Sequence, residues 1–468
     1  MKVLLVNPPY TEFVYKNRKN AAALDAPLSI AYIAAVLEKN KIKVDVLDAN
    51  AYNLSVNQTA ERIAKNKAKI VGITSSTTIM PVTYRLAKKI KRERKDIIIV
   101  VGGPHVTFMP AQTFKDCPEI DVIVRGEGEI TMLELVKNNG DPERISGVSY
   151  KKGGEIISNP DRKHIENLDS IPFPARHLLP MHLYRSGSPI SAGEGGLNYA
   201  SVITTRGCPN KCTYCSSSHF WGTKLRFRSP ENVVDEIEHL VKKYGVKEIF
   251  FKDDTFTFSQ TRTEKICDLI IKRDLKIKWA CYARVNTITA RLIKKMKDAG
   301  CFALDFGIES GNQKVLDRAK KNITLKQAES ALKIAKLAGI MTYASFMIGL
   351  PGDTMETAKQ TIDFAIKLNP DVAQFFITTP FPGTELYEEA IKKEWIAEIE
   401  NWGELDISKG VFRNDKLTNK QIHVLVSNAY KRFYLRPFFI FQSLKRVLKN
   451  PKLIKRYFAG ALAVLDLM

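Results

Sequence analysis

Three of the seven cysteines fall within eight residues, in the stretch Thr204-Thr205-Arg206-Gly207-Cys208-Pro209-Asn210-Lys211-Cys212-Thr213-Tyr214-Cys215. The C-x3-C-x2-C spacing puts three thiolates on one short loop, directly after a run that reads as a strand. Three thiolates satisfy three irons of a [4Fe–4S] cubane and leave the fourth iron with open positions for a further ligand. A tetrahedral zinc site is the alternative. It takes four protein ligands, commonly as two paired sets, and no second C-x2-C or H-x3-H partner exists in this chain. Cys117, Cys267, Cys281 and Cys301 stand singly and read as buried, inert thiols. Cys281, on an expected strand, is the one for which a second metal site or a catalytic thiol has to be weighed. Cysteines so distributed do not make a disulfide framework, so a reducing, cytoplasmic compartment is expected.

The elements that must position this loop are βα units. Apolar, β-branched runs at 200–204, 248–251, 278–283, 302–307, 341–348 and 373–378 alternate with amphipathic helical stretches at 230–244, 260–273, 290–298, 325–338 and 354–368. Six βα units predict a partial (βα)6 TIM-type barrel over 197–390, with active groups at the strand carboxyl ends. Ahead of it, over 1–140, strands at 3–6, 44–47, 70–73, 97–101 and 122–124 alternate with helices near 28–39, 58–65, 81–92 and 130–137. That pattern predicts an α/β doubly wound, flavodoxin-like domain with a parallel sheet. The opening residues read as its first strand and not as a signal peptide. Residues 141–196 read as a linker with a hairpin near 151–154, and 391–468 as a helical, basic and apolar C-terminal segment.

At the three-cysteine loop the chain resembles the radical S-adenosylmethionine (SAM) superfamily, whose signature is this spacing with an aromatic residue just before the third cysteine. The resemblance extends over the barrel. It implies that SAM fills the open iron through its amino and carboxylate groups, and that an electron from the cluster cleaves a carbon–sulfur bond. Cys208, Cys212 and Cys215 would then be the catalytic cluster ligands, and Tyr214 would lie against the adenine. Asp253 and Asp254 close the second strand, where the family places groups that receive the SAM ammonium; for Asp254 a helix cap is the alternative. Arg284 closes the third strand. Glu309 and Ser310 close the fourth as contacts to the ribose or the amino-acid part. Gly349-Leu350-Pro351-Gly352-Asp353 and Phe381-Pro382-Gly383-Thr384 also match the family pattern, and either a ligand's close approach or a tight turn would call for their glycines.

In the first domain no G-x-G-x-x-G follows the first strand, which speaks against a dinucleotide. Asn7-Pro8-Pro9, Thr74-Ser75-Ser76-Thr77, Gly102-Gly103-Pro104-His105 and Gly126-Glu127-Gly128-Glu129 follow successive strands instead. This layout resembles the cobalamin-binding domain of cobalamin-dependent radical SAM enzymes. Ser75 and Thr77 would line the channel for the nucleotide tail, with Gly102 and Gly103 making space for it. The cobalt-ligating D-x-H-x-x-G is missing, so a lower face without protein imidazole is implied. His105 is expected to be a hydrogen-bonding loop residue and not a cobalt ligand.

The formal charge of +22 is partly local: residues 431–456 hold nine Lys and Arg and no acid, interleaved with Phe433, Tyr434, Phe438, Phe439, Phe441, Leu444 and Leu448. Such a segment suits an anionic membrane interface, a packed cap on the barrel, or RNA. The resemblance is to members that tailor hopanoid and archaeal lipids and close the chlorophyll ring anaerobically. It implies a 5′-deoxyadenosyl radical abstracting hydrogen from a hydrophobic, lipid-like substrate, then methylation, ring formation or another carbon–carbon step. An external flavodoxin- or ferredoxin-type electron donor is implied, and a cytoplasmic location, peripheral on the inner face of the membrane, is expected. An RNA-modifying enzyme and a non-catalytic cobalamin carrier or sensor are the alternatives.

Overall fold

The computed structural model describes residues 1–11, 23–186, 198–396, 399, 401–406, 410–449, 451 and 454. The cations at 452, 455 and 456 and the last apolar stretch of the chain lie outside the described residues. Strands β1 (Val3–Asn7), β2 (Val44–Asp48), β3 (Ile70–Thr74), β4 (Ile98–Gly102) and β5 (Val122–Val124) pair in parallel in the order β2-β1-β3-β4-β5. Between and after them run helices α1 (Leu28–Lys39), α2 (Val56–Lys65), α3 (Met80–Glu93), α4 (Pro104–Phe108), α5 (Pro110–Asp116) and α6 (Gly128–Lys137). The central strands carry apolar residues on both faces because both are covered. Leu5, Val100 and Val124 pack with α1 and α6, and Leu4, Val6 and Ile73 pack with α2 and α3.

The hairpin expected in the linker forms as β6 (Val148–Lys152) and β7 (Glu155–Ser158), but it does not merely connect. β6 pairs antiparallel with β5 and extends the first sheet to seven strands. Buried Val148 and Tyr150 join the core on the α1 side, and the edge of β5 is thereby paired. Leu168, Ile171, Leu179 and Tyr184 continue along the same core, and the Tyr184 hydroxyl donates to Asp48 at 2.7 Å. Asp48 also accepts from Asn7 Nδ2 at 2.8 Å, so the Asn of Asn-Pro-Pro is occupied in tying β1 to β2.

The second unit is a six-stranded parallel sheet in the order β8 (Tyr199–Val202), β11 (Glu248–Phe251), β12 (Lys278–Ala283), β13 (Cys301–Glu309), β14 (Met341–Ile348) and β15 (Val372–Ile377). A two-stranded ribbon, β9 (Thr205–Arg206) with β10 (Arg226–Phe227), flanks the cysteine loop. The helices are α7 (Ser217–Phe220), α8 (Pro230–Tyr244), α9 (Gln260–Lys272), α10 (Ala290–Asp298), α11 (Gln313–Arg318), α12 (Leu325–Leu337), α13 (Met355–Leu368) and α14 (Glu385–Lys392). From α8 to α14 each starts on a Ser, Thr or Asn whose side chain accepts a backbone N–H of the first turn, which fixes where each rim loop ends.

The last strand leaves an open edge, and α15 (Asn419–Tyr434) covers it. Tyr430 Oη accepts from Phe375 N at 3.2 Å, while Tyr434 Oη accepts from Ala373 N at 3.2 Å and donates to Ala373 O at 2.7 Å. Two side-chain hydroxyls thus satisfy backbone groups that a seventh strand would have paired. α16 (Pro437–Lys449) follows. Trp402 and Leu405, ahead of α15, pack into the core of the first domain, so the C-terminal segment reaches back across both units. Among the described residues no helix is long and apolar enough to cross a membrane.

Candidate functional site

The cysteine loop leaves β8 and is held from below by Asp253. Its Oδ1 accepts Thr204 N at 2.5 Å and Thr205 N at 2.9 Å, and Oδ2 accepts the Thr204 hydroxyl. Burial pushes this carboxyl upward, against the pull of Arg262 and these donors. Asp253 is therefore an anchor for the loop, its two oxygens occupied by Thr204 and Thr205. Asp254 is exposed, accepts from Ser217 Oγ at 2.9 Å and lies near the Cys215 thiol, leaving it as the carboxylate available to an ammonium group. It does not cap α9; Ser259 does.

Gly207 has φ +99°, and a Cβ there would lie 2.2 Å from Lys224 O, so only glycine can pass between β9 and Cys208. Cys208 N donates to Gly222 O at 3.0 Å, Thr213 N to Ala319 O at 3.1 Å, and Leu386 N to Thr213 O at 2.8 Å, so the loop is pinned at three points. All three cysteines are free thiols; Cys212 is buried, Cys208 and Cys215 are half-buried, and burial pushes the Cys215 thiol upward. Asn210 Nδ2 points at Cys208 Sγ at 3.6 Å. Three thiols, each free to take its own iron, fit a cubane with one open iron. Cys117, Cys267, Cys281 and Cys301 are buried, with Cys117 and Cys267 pushed up to about 12, as inert thiols should be.

At the rim above the strands, Glu309 sits at a bulge in β13 with φ +72°, and its Oε1 accepts Lys321 Nζ at 2.6 Å. Lys321 also donates to Tyr214 Oη at 3.2 Å, and Arg284 Nη2 donates to Lys321 O. Tyr214, Arg284, Glu309 and Lys321 therefore meet beside the cysteine loop. A Cβ on Gly307 would lie 2.5 Å from Glu309 Oε1, so that glycine is what lets the carboxylate fold back. Lys321 was not among the candidates; it is flanked by Lys320 and Asn322 at φ +53°, a strain visible only in the structure. Ser310 is fully buried, pairs with Thr361 Oγ1 at 3.2 Å and accepts Asn312 N. The Gly349 and Gly352 stretch is a tight turn: both have positive φ, and Asn414 Nδ2 donates to the carbonyls of Gly349, Leu350 and Asp353.

The first domain presents a cavity of about 210 Å³ to the strand end and ribbon that flank the cysteine loop, where Ile203, Arg206, Phe220 and Trp221 join its lining. Leu5, Ile33, Val100, Val124 and Met132 form its apolar walls between the sheet and α1 and α6; Ser29 and Thr74 supply hydroxyls. Gly72 and Gly128 keep the walls apart, since a Cβ would meet Leu5 Cδ2 at 2.8 Å and Ile33 Cδ1 at 2.9 Å. This apolar slot at the carboxyl ends of parallel strands fits the nucleotide tail of a corrinoid. Gly102 and Gly103 line it, and Gly103 is also required by the backbone: at φ +124° a Cβ would lie 2.0 Å from Ser75 O. Ser75 and Thr77 do not line it, because Ser75 Oγ pairs with Thr83 Oγ1 at 2.9 Å and Thr77 Oγ1 with His105 Nδ1 at 3.3 Å. His105 is buried edge-on against Trp402, 4.5 Å between ring centres, and burial pushes it down to about 4.

Cavity and cysteine loop share a wall. Arg206, two residues before Cys208, donates Nη1 to Glu127 Oε1 at 2.8 Å and Nη2 to Glu129, and its guanidinium lies 5.2 Å from the Trp221 ring centre. Arg226 Nη1 donates to both Glu127 oxygens, at 2.8 and 3.0 Å. Glu127 ends the loop after β5 and Glu129 stands in the first turn of α6, so this buried cluster joins the two units. Arg206 and the two glutamates stand in separate motifs of the sequence, Arg226 stands in neither, and no spacing pairs them.

Below the rim, the barrel lumen opens as a cavity of about 300 Å³ lined by Phe250, Tyr282, Tyr343, Gln374, Lys252 and Asp305, among others. Burial pushes Asp305 up to about 7, with Glu309 adding to it and Lys252 opposing; Lys252 pairs with Asp25 at 3.0 Å.

Comparison with known proteins gives two family matches: the radical SAM superfamily over residues 202–365 and the B12 binding domain over residues 20–136. The chain is 39% identical over 467 residues to an uncharacterized methyltransferase of Pyrococcus horikoshii, covering 99% of this chain and 98% of that one. It is 32% identical over 450 residues to the anaerobic magnesium-protoporphyrin IX monomethyl ester cyclase of Rubrivivax gelatinosus, covering 94% and 78%. In fold it is similar to the cobalamin-dependent SAM radical enzyme OxsB solved with aqua-cobalamin and SAM bound (TM-score 0.75, 20% identity, 100% of this chain and 71% of that one). It is also similar to the radical SAM methyltransferase TsrM of Kitasatospora setae (TM-score 0.70, 18% identity, 92% and 88%).

Proposed function

Since the chain belongs to the radical SAM superfamily, to its branch with a B12-binding domain ahead of the barrel, we propose that it is an enzyme of methyl transfer or ring closure on an amphiphilic, largely hydrophobic small molecule. Its cofactors are a [4Fe–4S] cluster, SAM and cobalamin. When bound, the cluster supplies the electron that cleaves SAM, and cobalamin supplies a cobalt able to carry a methyl group or an electron. The observation that carries the proposal is the shared wall: Arg206 lines the cobalamin cavity, and Cys208 begins the cluster loop two residues later.

The residues take the following roles. Cys208, Cys212 and Cys215 hold three irons. Tyr214 flanks the adenine, Asp254 receives the SAM ammonium, and Arg284, Glu309 and Lys321 hold the ribose and carboxylate side. Gly102 and Gly103 would border the corrinoid tail, and the chain has no D-x-H-x-x-G motif that would offer a histidine to cobalt. Phe250 and Tyr282, packed edge to face with ring centres 5.0 Å apart, offer apolar surface in the lumen, while Asp305 and Gln374 can hold a polar group of the substrate. Proximity is the protein's main contribution, because a radical formed at the rim must meet one intended C–H bond. An external flavodoxin- or ferredoxin-type donor would deliver the electron.

The test is anaerobic incubation of the reconstituted protein with SAM, cobalamin, a reductant and a lipid and pigment extract of a deletion strain. A product heavier by one methylene supports methyl transfer, and one lighter by two hydrogens supports ring closure. Turnover on a parallel RNA preparation of the same strain and none on this extract would overturn the substrate class, and cofactor binding without any SAM cleavage would mark a carrier.

A further inference from the structure

α15 and α16 share a basic, aromatic sequence, yet the fold uses them differently. α15 buries Ile422, Leu425, Ala429, Tyr430 and Phe433 against the barrel. The chain then turns at Arg436, whose guanidinium donates to Phe433 O at 2.8 Å, Ile366 O at 3.2 Å and Asn369 Oδ1 at 3.1 Å. That cation fixes the angle at which α16 departs. Phe439 of the next helix returns to the body, packing on Phe433 and Tyr434 with ring centres 5.5 and 4.9 Å apart.

The opposite side of α16 is inverted for a water-soluble helix. Phe438, Phe441, Leu444 and Leu448 are 56%, 66%, 57% and 80% exposed, and their spacing of three, three and four puts them in one stripe. Ile440 and, beyond the helix, Ile454 are exposed as well. A stripe this apolar marks a surface that is covered in use.

We propose that α16 docks the protein on the surface of an anionic lipid membrane, the stripe entering the interface and the flanking cations meeting lipid phosphates. Charge selects this occupant: residues 431–456 carry nine Lys and Arg with no acid, and Lys445 stands exposed beside Leu444. A second copy on the same stripe would bring two such segments together and repel. With no described helix able to span a bilayer, the mode is lying on the surface. The inference is independent of the chemistry in the barrel.

The test uses the full chain, cluster reconstituted, with vesicles of phosphatidylcholine alone or with a quarter phosphatidylglycerol. Deleting α15 with α16 would strip the β15 edge of its tyrosine partners, so the variant is confined to the stripe: Phe441→Ser, Leu444→Ser and Leu448→Ser together. Wild type should sediment with the anionic vesicles far more than with neutral ones. Binding should weaken as the Debye length falls from about 10 Å at 0.1 M salt to about 3 Å at 1 M. The triple variant should lose at least tenfold of its partition while keeping its cluster absorbance and cobalamin binding. Equal sedimentation of variant and wild type, or none of either, overturns the proposal. So does a dimer that the substitutions dissolve, or binding to polyuridylate that they abolish while vesicle binding persists.

Discussion

Replacing Arg206 by Met tests the joint between the two units. The substitution keeps an unbranched apolar stem and removes the guanidinium with its charge. Glu127 would retain Arg226 and the Ile165 N–H at 2.7 Å, but Glu129 has no other hydrogen-bond or ion partner among the described residues and is 4% exposed. Breaking a buried pair by removing one member costs about 3–5 kcal/mol, because the remaining charge is left uncompensated. Removing that charge too, in the double variant R206M/E129Q, should reduce the loss to about 1–2 kcal/mol, chiefly the lost stacking on Trp221 and Tyr32. Urea unfolding followed by tryptophan fluorescence reads all three proteins, and Trp221 sits at the joint. A cost for R206M below about 1 kcal/mol at pH 7, or a double variant no better than the single, would refute the claim that Arg206 holds Glu129 across a buried interface.

Asp305, pushed up to about 7, holds its proton in the native lumen while the unfolded chain loses it near the ordinary carboxylate value; stability from this group is complete at low pH and is lost as pH rises through 7. Asp305→Asn should therefore flatten the fall in melting temperature between pH 5 and 8, and parallel curves would show that Asp305 is not buried as described. Hydroxocobalamin added anaerobically should bind with the spectrum of a corrinoid lacking its imidazole ligand, unchanged in His105→Ala; an imidazole-type spectrum lost in that variant would assign His105 to cobalt. Gly103→Ala should cost at least about 3 kcal/mol because its Cβ meets the Ser75 carbonyl. Gly126→Ala, at φ +66° with nothing within 4 Å, should cost only about 1 kcal/mol; equal costs in urea unfolding would contradict this.

Local pattern made much of this protein legible. Period-two and period-3.6 alternation gave both βα series, and the three-cysteine loop needed no partner elsewhere in the chain to be recognised. What the sequence hid is what depends on distant pairing. Asp253 and Asp254 are neighbours of one type, and only the placement of Thr204 and Thr205 decides that the first anchors the loop while the second faces outward. Lys321 reaches Glu309 and Tyr214 because α11 returns the chain to the rim, and no spacing rule announces that. Arg206 and Glu129 lie 77 residues apart and meet only when the two domains do. The hairpin at 148–158 looks the same in sequence whether it hangs free or extends a sheet; the open edge of β5 decides. In the tail, interleaved aromatics and cations read alike throughout, and the unpaired edge of β15 is what assigns α15 to the core and leaves α16 exposed.

The most direct test of the central claim is to replace Cys208, Cys212 and Cys215 singly by Ala, reconstitute each variant with iron and sulfide without oxygen, and measure 5′-deoxyadenosine released from SAM under a strong reductant. Every variant should lose the broad visible absorbance of the cluster and the release of 5′-deoxyadenosine together, while the cobalamin cavity still binds hydroxocobalamin. Full release by any one of the three would contradict a cluster held by these thiolates.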